Sequence, residues 1–167
     1  MTIPLLQTKF YVPPVRSNLV PRRHLIERLD EGLRLGHRLT LVSAPAGFGK
    51  TTLLSEWAHD LETRFLGKNL VSGPPRAVAW LSLDEGDNDP TRFLAYLAAA
   101  LRTVGVEVEE GIFAGAGVPA AMEACLTTLV NQVNAAPAPF ILVLDDYHFI
   151  TAQPVHDTLT FFLDHLP

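Results

Sequence analysis

Residues 39–52 read Leu-Thr-Leu-Val-Ser-Ala-Pro-Ala-Gly-Phe-Gly-Lys-Thr-Thr, and no other segment constrains the fold as strongly. Leu39–Ser43 is a short apolar, β-rich run, which predicts a buried strand. Ala44–Gly49 is a loop of small residues. Lys50–Phe65 places Leu53, Leu54, Trp57, Ala58, Leu61 and Phe65 on one stripe, which predicts a helix. A strand, a glycine-bearing loop and a helix opening on Gly49-Lys50-Thr51 fit the phosphate-binding loop, or Walker A pattern. Gly47 and Gly49 let the backbone curl until its N–H groups converge on phosphate oxygens. The helix N-terminus adds free N–H groups and the positive end of its dipole. Lys50 is placed to reach the β- and γ-phosphates, and the Thr51 hydroxyl to ligate Mg²⁺. The candidate binding set is Ala44, Pro45, Ala46, Gly47, Phe48, Gly49, Lys50, Thr51 and Thr52, with Lys50 also catalytic. The pattern's usual first Gly is Ala44 here, which works only if that position needs smallness rather than a positive φ.

A second apolar run, Phe140-Ile-Leu-Val-Leu, ends at Asp145-Asp146. A buried strand that delivers a carboxylate at its C-terminal end suits Mg²⁺ coordination, the Walker B arrangement. Asp145 is the candidate metal ligand. Asp146 is placed to act as a base on an attacking water. The acidic turn Asp84-Glu-Gly-Asp-Asn-Asp-Pro90 follows a third apolar run, Ala77–Leu83. Parallel strands present their C-terminal ends on the ligand side of a sheet. Asp84 could therefore support Mg²⁺ or water, but a capped loop leading into a helix explains it more simply. The six histidines are scattered without metal-ligand spacing; only His148, just after Asp145-Asp146-Tyr147, falls near the phosphate side.

The rest of the chain alternates helices and strands. Helices are predicted over 22–35, 90–102 (capped by Asp89, with Pro90 in its first turn), 119–135 and 155–166. Residues 66–75 read as a turn, and the Gly-rich 104–118 as a mobile segment. Residues 1–21, punctuated by four prolines, read as an extended N-terminal arm ahead of a domain over 22–167. Continuous apolar strands between helices imply an α/β fold with a mostly parallel sheet, a P-loop NTPase three-layer sandwich.

The chain has 167 residues, with 13 Lys plus Arg against 18 Asp plus Glu, a net charge of −5. This acidity argues against direct nucleic-acid contact, which needs clustered Lys and Arg. The single Cys125 excludes a disulfide scaffold and sits on a helical apolar stripe as a small core residue. The longest uncharged stretch, Ala124–Leu144, is broken by Asn, Gln and Pro and does not read as a membrane span. With no basic segment followed by an apolar run at the N-terminus, the expected compartment is the cytoplasm.

Taken in order, Thr8-Lys9-Phe10, Leu19-Val-Pro-Arg22, Val42–Leu54, Trp80–Pro90 and Leu142–His148 resemble the N-terminal nucleotide-binding region of MalT-like, LuxR-class transcriptional regulators. These belong to the STAND group of P-loop ATPases, with NACHT/NB-ARC-like domains. The resemblance implies an ATP-driven switch with ADP and ATP as ligands. It implies a closed ADP form, and an open, self-associating form favoured by ATP with inducer. It also implies that Val20 and Arg22 match a segment that contacts adenine. In this class a winged helix, helical repeats and a DNA-binding helix-turn-helix follow the nucleotide-binding part. None is visible here, so these are expected as partners in a full-length protein. The class's sheet order places the strand after Asp145 between Leu39–Ser43 and Phe140–Leu144. That predicts a domain incomplete at its C-terminus, a fragment or truncated reading frame with two open strand edges. The hydrolytic activity of such a chain alone is expected to be weak or absent. Two alternatives remain open: a small self-contained P-loop kinase, and a non-catalytic interaction module with a vestigial nucleotide site.

Overall fold

The computed structural model describes residues 4–15, 20–66, 77–109, 113 and 119–166. It contains helices α1 (Arg23–Arg34) and α2 (Lys50–Leu66), strand β1 (Ala77–Ser82), helices α3 (Pro90–Arg102) and α4 (Pro119–Asn134), strand β2 (Phe140–Asp145) and helix α5 (Gln153–His165). Short 3-10 turns lie at Gln7–Phe10, Glu85–Asn88 and Tyr147–Phe149. Each predicted helix forms within a few residues of its expected bounds. Beyond Leu66, the predicted turn at 66–75 lies outside the described residues. The chain divides into two compact units, residues 12–73 and residues 1–11 with 74–167.

In the first unit α1 and α2 meet through the buried side chains of Ile26, Leu29, Trp57 and Leu61. Asp30 ties the pair together. It accepts the Trp57 indole N–H at 2.9 Å on one carboxylate oxygen and the Arg64 guanidinium at 2.7 Å on the other. The carboxylates of Asp30 and Asp60 together hold the Arg64 pKa above its ordinary value.

The predicted strand at Leu39–Ser43 does not form. The segment is irregular, with Leu39 63% and Leu41 82% exposed. A strand is held by ladder hydrogen bonds to a neighbour, and apolar sequence alone does not supply them. Among the described residues the sheet contains only β1 and β2.

The second unit carries that sheet. β1 and β2 pair in parallel, Ala77 opposite Phe140 through Ser82 opposite Asp145. α3 is the centre of the core: Phe93, Leu94, Leu97, Ala100 and Leu101 are fully enclosed between β1 and α5. Asp89 caps α3 by accepting the Arg92 N–H at 2.7 Å, and Pro90 fills the first turn, where a missing N–H costs nothing. The Gly-rich segment departs from expectation in its described part, because Val106, Val108 and Phe113 are buried in this core. Arg102 fastens it by donating to the carbonyls of Val108 (2.8 Å) and Glu109 (3.0 Å). The remainder of 104–118, residues 110–112 and 114–118, lies outside the described residues.

The arm's Gln7–Phe10 turn sits in the same unit. Lys9, 6% exposed, forms an ion pair with the fully buried Asp87 and another with Asp84 at 2.8 Å. Arg92 reaches Asp87 from the opposite side at 3.2 Å. The Lys9 ammonium also lies 4.5 Å from the centre of the Tyr96 ring, and the Tyr96 hydroxyl accepts the Leu6 N–H at 3.1 Å. Lys9 and Asp87, both buried, thus each have an opposite charge and hydrogen bonds.

Asp87→Ala would leave the Lys9 ammonium buried without its main partner, so urea unfolding should show a loss of about 3–5 kcal/mol. The paired Lys9→Met/Asp87→Leu change should lose much less, because neither charge is then stranded. A single-variant loss below ~1 kcal/mol would show that the pair behaves like a surface contact. The hydrogen bond from Lys9 holds the Asp84 carboxyl below its ordinary pKa. A depressed folded-state pKa contributes stability in full above the unfolded value near ~3.9, and loses it as pH falls through the folded value. Stability should therefore fall below about pH 4, and Asp84→Asn should remove part of that acid slope.

Candidate functional site

The phosphate-binding loop lies wholly in the first unit. Gly47 (φ 81°) and Gly49 (φ 73°) take the left-handed backbone that the curl requires. Ala44 does not, because Asp146 is the one non-Gly residue with positive φ among those described. Alanine therefore replaces glycine at the loop's first position without strain. Lys50 folds back over the loop, its ammonium donating to the carbonyls of Ala44 (2.8 Å) and Pro45 (3.2 Å). Gly49 opens α2, its carbonyl accepting the Leu53 N–H at 3.0 Å. The Thr51 carbonyl accepts the buried Ser55 hydroxyl at 2.8 Å. Phe48 projects outward and is 61% exposed. A loop curled by left-handed glycines, the start of a helix and a cation over the loop suit an anionic phosphate, so these residues fit the group.

Arg22 stands at the start of α1, its carbonyl accepting the N–H groups of Leu25 and Ile26. Its guanidinium donates to the Phe48 carbonyl at 2.8 Å, which links the segment before α1 to the loop. A Cβ at position 49 would approach that guanidinium to 3.2 Å, so the Arg22 side chain would have to shift slightly. Val20, Arg22, Gly49, Thr52, Leu53 and Glu56 line one recess of about 160 Å³ that opens to solvent. Small-molecule sites span roughly 300–1,000 Å³, so the recess has room for part of a nucleotide and not for the whole. Val20 and Arg22, expected only by resemblance to lie at a nucleoside site, thus share a concavity with the loop and α2. A second recess, lined by Pro13, Pro14, Val15, Thr51, Thr52 and Ser55, borders the same helix end.

The acidic residues lie in the second unit. The register places Ser82 beside Asp145, and the Leu83 N–H donates to the Asp145 carbonyl at 3.0 Å. Asp145 is buried, and one of its carboxylate oxygens accepts the Asp146 N–H at 3.0 Å. Asp146 takes a left-handed backbone (φ 57°, ψ 32°) that turns the chain sharply off β2. Its half-exposed carboxylate lies 3.7 Å from His148 Nδ1, an ion pair when the imidazole is protonated. Burial raises the pKa of Tyr147, whose hydroxyl lies 2.7 Å from His156 Nδ1.

Asp84 has its oxygens engaged elsewhere. One accepts the Gly86 N–H at 2.8 Å and the other meets Lys9. With Asp87, Asp84 forms a capping box on the Glu85–Asn88 turn, which is the simpler of the two readings. No pattern in the sequence singles out Asn88. Its side-chain oxygen accepts the N–H groups of Thr151 (2.7 Å) and Ala152 (2.8 Å), and its amide donates to the Phe149 carbonyl at 2.9 Å. The segment that leaves Asp146 is thereby clamped to the acidic turn.

Comparison with known proteins agrees with this architecture. A family model described as an AAA domain matches residues 13–157. HTH-type transcriptional regulators named MalT are similar over 98% of this chain, at 36% identity in Cronobacter sakazakii, 35% in Yersinia enterocolitica and 36% in Serratia proteamaculans. The chain spans 16% of the length of each of these relatives. The two-stranded parallel sheet flanked by helices is accordingly a P-loop NTPase type of α/β fold. The chain belongs to the AAA domain family, and its likeness within it is to the N-terminal nucleotide-binding region of MalT-like regulators.

Proposed function

We propose that this chain is the ATP-binding, slowly hydrolysing switch domain of a MalT-like transcriptional regulator. The observation that carries the reading is the loop itself, with left-handed Gly47 and Gly49 and the Lys50 ammonium held over its carbonyls. Backbone N–H groups of the Ala44–Thr52 loop, Pro45 excepted because it has none, and the Lys50 ammonium bind the phosphates. Val20 and Arg22 contact the nucleoside. Thr51 and Asp145 are the groups that would hold Mg²⁺, which would supply neutralisation of phosphate charge. Asp146 accepts a proton from the attacking water, and its exposed carboxylate supports that role.

In the full-length protein, DNA is read by separate sequence, and the switch acts through winged-helix and helical-repeat segments and through self-association. The site of action is the cytoplasm; among the described residues no helix is long and apolar enough to cross a membrane. The chain is organised as an arm over residues 1–21 and a P-loop domain over 22–167.

A thermal scan with and without Mg-ADP tests the binding. Ligand at a hundred times its Kd adds about 2.7 kcal/mol, a shift of several degrees for a domain of this size. The shift should vanish in Lys50→Ala. A shift that survives in Lys50→Ala would place the nucleotide elsewhere, and no shift in the parent would sink the reading. Asp146→Asn should keep the ADP-induced shift and slow hydrolysis by roughly 10²–10⁴-fold in the full-length protein. Unchanged turnover would remove Asp146 from the role of base.

A further inference from the structure

Glu56 lines the recess of Val20, Arg22, Gly49, Thr52 and Leu53, and neither the loop motif nor the resemblance assigns it a role. Its side chain is half-buried. Among the described residues its carboxylate joins no hydrogen bond or ion pair. The nearby cation does not account for it, because the Arg22 guanidinium is directed to the Phe48 carbonyl. The carboxylate oxygens are not sealed in the protein and no group of the chain occupies them among the described residues, so they are open to a donor that comes from outside the chain.

Its place on α2 identifies that donor. Glu56 follows Thr52 by four residues and therefore sits on the same face, about 6 Å further along the axis. Helical side chains tilt toward the helix N-terminus and cover the turn that precedes their own Cα. The carboxylate is thus directed back toward Thr52 and Gly49, beside the phosphate loop. In a nucleotide, the group next to the phosphates is the sugar, with the base beyond it. A ribose presents two neighbouring hydroxyl donors, and a carboxylate presents two acceptor oxygens. Val20 and Leu53, the apolar members of the lining, are left for the base.

We propose that Glu56 is a specificity-determining residue that accepts hydrogen bonds from the ribose hydroxyls of the bound nucleotide; this rests on the nucleotide-binding reading above. The test measures binding of ADP, 2′,3′-dideoxy-ADP and GDP to the full-length protein with Mg²⁺ present. Hydrogen bonds to a charged group, kept from water, correspond to roughly a 10- to 100-fold preference for ADP over the dideoxy compound. Glu56→Ala should lower ADP affinity by that factor, leave dideoxy-ADP binding unchanged and lower GDP binding in parallel with ADP. Glu56→Gln, which keeps one acceptor, should recover part of the loss.

Equal loss of ADP and dideoxy-ADP in Glu56→Ala would mark a general packing role and overturn the proposal. So would no loss at all. A change in ADP-to-GDP preference, with sugar discrimination intact, would assign the carboxylate to the base and also overturn it. Failure of the broader reading looks different: the parent protein would then bind none of the three, or bind them equally well after Lys50→Ala.

Discussion

The second unit depends on the buried carboxylate of Asp87. It has no exposure, yet it meets Lys9 on one side and Arg92 on the other, and accepts the Asp84 N–H at 2.8 Å. A lone charge there would be ejected or neutralised, so the three partners are obligatory rather than ornamental. Through Lys9 it fixes the Gln7–Phe10 turn, through Arg92 the first turn of α3, and through its own turn the position of Asn88. Asn88 then clamps residues 149–152, which follow the acidic end of β2. One desolvated charge thus sets the arm, the central helix and the exit path from Asp145-Asp146.

The legible parts of the sequence were those decided locally. α3 announces itself through Asp89, Pro90 and a stripe of apolar residues, all within one helix length. The phosphate loop is legible for the same reason, because glycines at 47 and 49 and a lysine at 50 specify backbone curl and charge without help from distant residues. Even the departure at Ala44 could be judged from φ requirements alone, and its backbone meets them.

What escaped was decided at long range. Leu39–Ser43 has strand composition, but a strand is a relation between two segments, and no ladder partner is present among the described residues. Lys9 and Asp87 are 78 positions apart, and Asn88 and Thr151 are 63 apart. Neither pair has a spacing that periodicity can detect. The acidic turn illustrates the consequence: its sequence suggests a capped loop, but only the fold shows that Lys9 and Arg92 neutralise Asp84 and Asp87 within it.

The same logic separates two kinds of acid in this molecule. Asp84 and Asp87 are saturated by cations of the chain itself, so their charge serves the fold. Asp146 stands apart from them, with a half-exposed carboxylate, a strained left-handed backbone and a single histidine 3.7 Å away. Strain persists only where surrounding structure holds it, and here Asn88, far away in sequence, clamps residues 149–152 just past this turn. An acid that the fold leaves unsaturated, on a turn that the fold goes to some cost to hold, is arranged for something outside the chain. Glu56 in the first unit meets the first of those two conditions. Among the described half-buried carboxylates, Glu56 thus has no partner in the chain and Asp146 has only His148.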